Sequence, residues 1–358
     1  IWIPVSNGID CATPGLRIMI SYANDRAVID RSTEPFTVPE SGDTYWVDDA
    51  SNTNDEYTPA AIGSNRHTGK LATAPKPNPV NVLRVYELAS GATLNIDTGV
   101  YPLIYTVIAT AKADVGLGLD RGFLMRGPGD GSRVAEFVTA IPNNTGQTLI
   151  YLDDADLMTV RYLTLTGGFH GLWATGGTSG LTAERVLARN NAGNGFLLDG
   201  GSDFALLKDL VAVNHQGNYD GVQIVGGAGG VIENLRSSNN RYGLYVSASN
   251  VTINGATIYN NRGAGIRQEG STGGTWDALD VYGNASGIEF AGNLTITNSK
   301  VRENVGNGID GYSSSSYLNL QNSEVFGNNT GVVIRQGQIS NSRIYSNVST
   351  GVYAPYIP

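Results

Sequence analysis

The chain of 358 residues is poor in cysteine, methionine, histidine and charged side chains. With one cysteine, Cys11, it cannot form an internal disulfide, and we interpret Cys11 as a small buried residue. No apolar run reaches about 18 residues, so we expect no membrane-spanning helix. The net charge of −9 argues against a nucleic-acid partner, because phosphate binding needs clustered lysine and arginine. The chain starts without methionine or a signal peptide, which we take to indicate a fragment or a processed chain.

Glycine is abundant instead, with 47 residues, nearly twice the ordinary share of about 7%. Asparagine, serine and threonine are also frequent. This composition predicts many tight turns between short strands rather than helices.

A short repeat organises the second half of the chain. A glycine followed by apolar, variable and usually apolar residues recurs at intervals of 20 to 26 residues, with a mean of 22.5. The residue after each glycine is always apolar and the next one is mixed, which predicts a strand with one buried and one exposed side. The glycines are Gly171, Gly195, Gly221, Gly243, Gly265, Gly287, Gly308, Gly331 and Gly351.

Such a unit cannot bury its own apolar side, so the units must stack into a continuous core. Leucine-rich, ankyrin and tetratricopeptide repeats are excluded by period or consensus. A β-solenoid remains, with two or three short strands in each unit. We expect asparagines four residues before the glycine to occupy left-handed turns and to bond to their equivalents one coil away. These are Asn191, Asn239, Asn261, Asn304 and Asn347.

The segments NNAGNGFLLDGGS, NNRGAGIRQEG and NNTGVVIRQG resemble the coils of right-handed parallel β-helix proteins of the pectate-lyase-like superfamily. The resemblance covers roughly residues 90–358. It includes the β-helices found in large repetitive bacterial surface and extracellular proteins. It implies an all-β, right-handed parallel β-helix in an extracellular or cell-surface setting. The segment SGATLNIDTGVY resembles the start of the first coil, with Ala92 in place of the usual aspartate.

Two regions precede the repeat. Residues 1–40 alternate apolar and polar side chains and resemble the end of a preceding sandwich domain, so we predict a short β segment there. Residues 41–358 would form the β-helix. Within them, about 79–89 carry apolar side chains at helical spacing, which predicts a short helix that caps the open end of the core.

The segment NHQGNYDGVQI contains the first candidate site. Its turn spans seven residues from Asn214 to Gly221, two or three more than neighbouring turns, and functional loops are often built this way on rigid scaffolds. Uronate lyases and epimerases need a base, an acid and a group that neutralises the carboxylate. The candidates for these roles are His215, Tyr219, Asp220, Arg241, Tyr242 and His170. The alternative is that they are solvated turn residues, since the D-P-H-[DE] and R-x-P-x-x-R motifs of epimerases and pectate lyases are absent.

A second candidate is a row of outward residues on successive units. Aromatic and polar side chains along a flat solenoid face can stack on sugars, although Leu197 interrupts the row and ordinary solvent exposure is the alternative. The proposed substrate-binding residues are Trp173, Gln223, Tyr245 and Arg267, and the row continues through Glu289 and Asp310.

The third candidate is an acidic loop, DDASNTND. Its oxygen-bearing side chains suit Ca²⁺, but the spacing is not that of an EF-hand, and an Asx-rich turn is the alternative. The residues are Asp48, Asp49, Asn52, Asn54 and Asp55.

Two functional hypotheses follow. The first is a noncatalytic β-helical rod or adhesive module that contacts carbohydrate, cell-surface or matrix components as part of a large extracellular surface protein. It is favoured by the uniform repeat and the missing catalytic motifs. The second is a polysaccharide lyase or C5-epimerase acting on uronate-containing polysaccharide, which is favoured by the scaffold and the long turn.

Overall fold

The computed structural model describes residues 19–22, 25–31, 44–112, 120–129, 131–141, 146–248, 250–270 and 274–354. Near the start, Met19–Tyr22 pairs antiparallel with Asp25–Arg31. The remainder of the predicted segment 1–40, including Cys11, lies outside the described residues. In the described chain, no helix has the length and apolar character to cross a membrane.

From Thr44 to Tyr353 the chain winds into a parallel β-solenoid with three faces, which confirms the predicted all-β fold class. Face A is an eleven-stranded parallel sheet that carries the glycine repeat. Its strands are Val107–Thr110, Ile150–Asp153, Leu172–Thr175, Phe196–Leu198, Val222–Val225, Leu244–Ser247, Ala264–Gln268, Ser286–Phe290, Asn307–Gly311, Thr330–Val333 and Thr350–Tyr353.

Faces B and C follow face A in each coil and together form the second large sheet. Face B contains Thr44–Val47, Thr93–Ile96, Leu124–Arg126, Thr159–Arg161, Leu181–Glu184, Phe204–Lys208, Asn293–Thr297, Tyr317–Gln321 and Gln336–Ser340. Face C contains Gly99–Leu103, Ala135–Thr139, Leu163–Thr166, Leu187–Arg189, Val211–Val213, Lys300–Arg302, Glu324–Phe326 and Arg343–Tyr345. Three longer strands bend through the corner between faces B and C and belong to both faces. They are Val231–Ser238, Thr252–Tyr259 and Gly274–Tyr282.

The core runs along the axis of the solenoid. Of the nine apolar positions predicted after the repeat glycines, eight are buried, each with at most 1% of its surface exposed. Val352 is the exception, 43% exposed, because it lies in the last coil of the described chain. The apolar side of each coil is therefore covered by its neighbours, as the repeat predicted.

The repeat glycines are required by close packing between coils. A Cβ atom on Gly221 would lie 2.7 Å from the carbonyl oxygen of Gly243 and 2.8 Å from the amide nitrogen of Asn240. Gly195 and Gly308 meet the following coil in the same way, each at 2.6 Å from a glycine carbonyl oxygen. Because real Cβ atoms do not approach this closely, any side chain at these positions would separate the coils.

Two consecutive residues form the corner between faces C and A. The first adopts a left-handed backbone conformation, as in Asn190, Asn214, Asn239 and Asn260. Asn239 has the predicted left-handed backbone, and its side chain donates to Oδ1 of Asn214 one coil away at 3.0 Å, which confirms the prediction for this residue. The side chain of the second residue also bonds to the adjacent coil, as Asn240 does to the N–H of His215. The other four predicted asparagines occupy this second position without a left-handed backbone: Asn191, Asn261, Asn304 and Asn347. Asn284 and Asn328 also belong to the ladder, although they lie three residues before their glycines.

We call this row of side chains the corner ladder. The Oδ1 atom of each asparagine accepts the backbone N–H of the ladder residue in the preceding coil, at 2.9 to 3.0 Å in the central coils. Its amide nitrogen donates to strand carbonyls, as Asn284 does to Ile258 and Tyr282. The ladder consists of Asn191, His215, Asn240, Asn261, Asn284, Asn304, Asn328 and Asn347.

A short helix lies at the N-terminal end, as predicted, but it spans Pro79–Leu83 rather than about 79–89. It begins after Asn78, whose side chain accepts the N–H of Asn81 at 3.0 Å. Val82 is fully buried on the core, whereas Val85 beyond the helix end is half exposed.

Asn284→Ala tests the corner ladder. The buried N–H of Asn261 and the carbonyl of Ile258 lose their partner, so we expect the free energy of unfolding to fall by about 3 kcal/mol in urea denaturation. Asn293→Ala, at an exposed position, serves as the control and should change it by less than about 0.5 kcal/mol. Equal effects of the two substitutions would contradict a structural role for the ladder.

Candidate functional site

His215 is a member of the corner ladder. Its Nδ1 atom accepts the N–H of Asn191 at 3.3 Å, and its own N–H donates to Oδ1 of Asn240 at 3.0 Å. The side chain is 1% exposed. His215 therefore occupies the place that asparagine holds in other coils, with its ring buried and bonded between coils.

His170 belongs to a second ladder, one residue before the repeat glycines. Its Nδ1 atom accepts the N–H of Asn194 at 2.9 Å, and Oδ1 of Asn194 accepts the N–H of Asp220 at 2.8 Å. A carboxylate oxygen of Asp220 then accepts the N–H of Tyr242 at 3.1 Å. These residues share one register on consecutive coils, and their polar atoms bond between coils.

Burial lowers the pKa of both histidines to about 4. At neutral pH both rings are therefore uncharged, and the bonds to Nδ1 place the ring proton on Nε2. A general base works best when its pKa lies near the operating pH. Both histidines are thus unsuited to proton transfer from a substrate.

Asp220 and Arg241 form a two-point ion pair. The Nε and Nη2 atoms of Arg241 donate to the two carboxylate oxygens of Asp220 at 2.8 and 2.7 Å. Asp220 is fully buried, and burial raises its pKa despite the opposing effect of Arg241. The positive charge of Arg241 is therefore already matched by a carboxylate of the protein.

The extra residues of the long turn form a bulge over 216–219. Arg262 closes it by donating to the carbonyl of Gly217. The ring of Tyr219 then lies edge-on to Phe169, with ring centroids 5.4 Å apart, and 6.3 Å from His170. The bulge places an aromatic side chain at the edge of face A.

The predicted outward row is in register on face A. Trp173 pairs with Tyr151 and Leu197, and the row continues through Gln223 and Tyr245. Arg267, Glu289 and Asp310 extend it. Leu197 is 8% exposed, so it interrupts the row as expected.

Aromatic side chains line the edges of this row, and we call the combined surface the aromatic strip. Its first half includes Tyr151 and Trp173, whose rings lie 5.0 Å apart. In its second half Tyr242 and Tyr245 are stacked at 6.2 Å. The strip consists of Tyr151, Trp173, Tyr219, Gln223, Tyr242, Tyr245, Arg267, Glu269 and Tyr312.

Arg267 organises the second half of the strip. Its guanidinium donates to Glu269 at 2.9 Å and to Glu289 at 2.8 Å, and it lies 5.2 Å from the centre of the Tyr312 ring. Tyr245 donates its hydroxyl to Glu269 at 2.7 Å. Sequence reasoning missed Glu269 and Tyr312, because they follow their strands instead of occupying the repeated outward position.

The ionisable groups of this half are fixed in their ordinary charge states. Burial raises the pKa of Tyr245 to about 12 and also raises the pKa of Tyr312. The hydrogen bond from Tyr245 lowers the pKa of Glu269, and the pKa of Arg267 lies above its usual value. These four side chains can offer hydrogen bonds but are not tuned for proton transfer at neutral pH.

The acidic loop divides into two groups. Asp48 is fully buried and Asp55 is 8% exposed, whereas the side chains of Asn52 and Asn54 are exposed. Asp49 accepts the N–H of Ser51 at 2.7 Å. The described ranges contain no group of three or more acidic, histidine or cysteine side chains placed to share one metal ion.

A shallow groove of about 470 Å³ lies on face B. It is lined mostly by threonine, asparagine and glycine, with Tyr317 as its one titratable side chain. This lining provides no acid–base pair and little aromatic surface. Face A is therefore the better candidate.

The sequence of residues 209–348 matches the family model described as right handed beta helix region. A search of curated proteins found no match. Among solved structures, pectate lyase Pel9A superposes with a TM-score of 0.62 at 14% identity, over 88% of this chain and 82% of that chain. The chain has the right-handed parallel β-helix fold of the pectate-lyase-like proteins.

Two further structures are more distant from this β-helix. The A-module of Azotobacter vinelandii mannuronan C-5 epimerase AlgE4 has a TM-score of 0.49 at 19% identity, covering 74% of this chain and 90% of that one. A rhamnogalacturonan lyase has a TM-score of 0.47 at 14% identity, covering 88% and 86%. At these identities the likeness concerns the β-helix fold alone.

His215→Asn tests the structural role of His215. Asparagine supplies the same acceptor for the Asn191 N–H, whereas His215→Ala leaves that buried group without a partner. We expect the alanine variant to be about 1–3 kcal/mol less stable than the asparagine variant in urea unfolding. If both variants lose equal stability, the ladder does not account for His215.

Proposed function

We propose that this protein is a noncatalytic module that binds polysaccharide along the aromatic strip of face A. The observation that carries the proposal is the position of Trp173 and Tyr245 on the outward row, flanked by Tyr219, Tyr242 and Tyr312. Aromatic rings bury the apolar sides of sugar units, and adjacent polar groups bond to their hydroxyls.

The dimensions of the strip suit a polymer. From Tyr151 to Arg267 it crosses five coil-to-coil steps of about 4.8 Å, or about 24 Å in all. Gln223 lies midway and accepts a hydrogen bond from Asn194 at 2.6 Å, which orients its amide. An extended surface with rings at both ends and an amide between them contacts several units of one chain.

The charges of the strip favour a neutral polysaccharide. Arg241 is paired with Asp220, and Arg267 is paired with Glu269 and Glu289, so neither guanidinium provides an unmatched positive charge for a uronate. The net charge of −9 adds long-range repulsion against an anionic polymer. An uncharged sugar needs no unmatched positive charge on the protein and is not repelled by its net negative charge.

The lyase or epimerase alternative keeps few of its candidate residues at the surface. His170, His215 and Asp220 are buried and bonded between coils, which leaves Tyr219, Tyr242 and Arg241. The likeness of this β-helix to that of pectate lyase Pel9A supports a polysaccharide partner in general. A β-helical rod of an extracellular or cell-surface protein is the setting in which such binding would operate.

Binding to a panel of soluble polysaccharides, measured by affinity electrophoresis and titration calorimetry, tests the proposal. We expect a neutral polymer in the gel to retard the migration of the wild-type protein. Trp173→Ala or Tyr245→Ala should weaken binding of that polymer about tenfold, since each removes one stacking surface. Tyr282→Ala on face C, where Tyr282 stacks on Tyr259 at 5.2 Å, is the matched control and should bind as the wild type does.

Two results would contradict this proposal. One is binding that survives both substitutions on face A or is lost with Tyr282→Ala. The other is the appearance of an unsaturated, ultraviolet-absorbing product or of C5 inversion by NMR when uronate polymers are incubated with the protein. Either reaction would establish the enzymatic alternative instead.

A further inference from the structure

Two aspartates occupy equivalent positions on the first coils of face B. Asp48 follows the strand Thr44–Val47, and Asp97 follows Thr93–Ile96, which pairs with it in register. The N–H of Asp97 donates to the carbonyl of Val47 at 2.9 Å. The two residues are therefore about one coil spacing, or about 4.8 Å, apart along the axis.

Asp97 holds the acidic loop in place. Its carboxylate accepts the N–H groups of Glu56, Tyr57 and Thr58 at 2.6 to 2.7 Å, together with the Thr58 hydroxyl at 2.8 Å. It also accepts the N–H of Thr98. These bonds satisfy Asp97 and fix residues 56–58, which directly follow Asp55, close enough to the first coils for the charge of Asp55 to act on Asp48.

Asp48 and Asp55 are not satisfied in the same way. In the part of the chain that the structure describes, both oxygens of Asp48 and both oxygens of Asp55 are buried without a well-formed hydrogen bond, and the Thr58 side chain and the Asp49 N–H offset the raised pKa of Asp48 only in part. Arg133 pairs with Glu56 at 3.7 Å, and its charge offsets the raised pKa of Asp55 only in part. An ionised carboxylate in this position is costly unless a cation neutralises it.

The electrostatic environment agrees with this geometry. Burial, with repulsion from Asp55, raises the pKa of Asp48 to about 7. Burial, with repulsion from Asp97 and Asp49, raises the pKa of Asp55 to about 6. A bound cation would relieve both effects.

We propose that Asp48 and Asp55 bind one Ca²⁺ ion between the acidic loop and the first coil of face B. The ion takes carboxylate oxygens from these two residues and completes its shell with water and backbone carbonyl groups, which Ca²⁺ accepts in irregular arrangements. Mg²⁺ fits less well, because it requires near-octahedral geometry and dehydrates reluctantly. Asp97 is a positioning residue, since its oxygens are occupied by N–H and hydroxyl donors.

The site ties the loop that follows the first strand to the N-terminal end of the solenoid. A ligand that binds only the folded state raises stability. Calcium would therefore stabilise the coils next to the capping helix, independently of sugar binding on face A.

The test uses the full chain after treatment with a chelator. Titration calorimetry with CaCl₂ should show one saturable site, and millimolar Ca²⁺ should raise the thermal midpoint by several degrees. Asp48→Asn and Asp55→Asn should each abolish both effects. Asp209→Asn is the control, because Asp209 has a left-handed backbone that asparagine tolerates, and it should respond as the wild type does.

Absence of calcium heat and of a midpoint shift in the wild type would overturn the site, as would an unchanged response in Asp48→Asn and Asp55→Asn. If one variant fails to fold, the calcium titrations of the other variant and of the wild type test the site. Binding of a neutral polysaccharide by the folded aspartate variants should remain, so failure of the calcium site and failure of the sugar surface are distinguishable.

Discussion

The bond between one corner side chain and the backbone of the preceding coil is the constraint on which this structure depends. From Asn347 back to His215, each ladder side chain accepts the N–H of its predecessor at the turn between faces C and A. An unpaired N–H at this buried corner would cost about 1–3 kcal/mol in each coil. The close approach of coils that permits these bonds also requires the glycine that follows, as Gly221 shows against Asn240.

This constraint separates structural from functional chemistry. His215 and Asp220 have the side chains expected of a proton-transfer site, but the ladders use their polar atoms between coils. The outward side chains of face A, by contrast, are not the acceptors of the buried backbone N–H groups at the corners. The side chains of the outward row, such as Trp173 and Tyr245, can therefore vary along face A without disturbing the core.

Much of the fold could be predicted from the sequence, because stacking forces one pattern on every coil. The apolar residue after each glycine is buried in all coils but the last, where Val352 has no following coil in the described chain to cover it. The ladder was harder to predict. Two asparagines in succession, Asn239 and Asn240, have different roles, and spacing from the glycine does not separate the left-handed residue from the ladder residue.

The candidate site could be predicted only in part. Trp173, Gln223, Tyr245 and Arg267 share a row because register follows from the repeat. Tyr312 joins the strip from a turn, whose path the repeat does not determine. The role of His215 stayed open in the sequence, because a histidine in this turn suits either a catalytic or a structural role, and only the hydrogen bonds of its ring distinguish the two.

An NMR titration of the histidine rings tests the central claim that the corner residues serve the fold rather than catalysis. Comparison with His215→Asn assigns the His215 signals. The ladder predicts that His215 is uncharged at neutral pH, carries its proton on Nε2 and titrates near pH 4, because burial lowers its pKa. A titration at or above about 6.5, the value for a solvated histidine, would show an accessible ring and contradict the account.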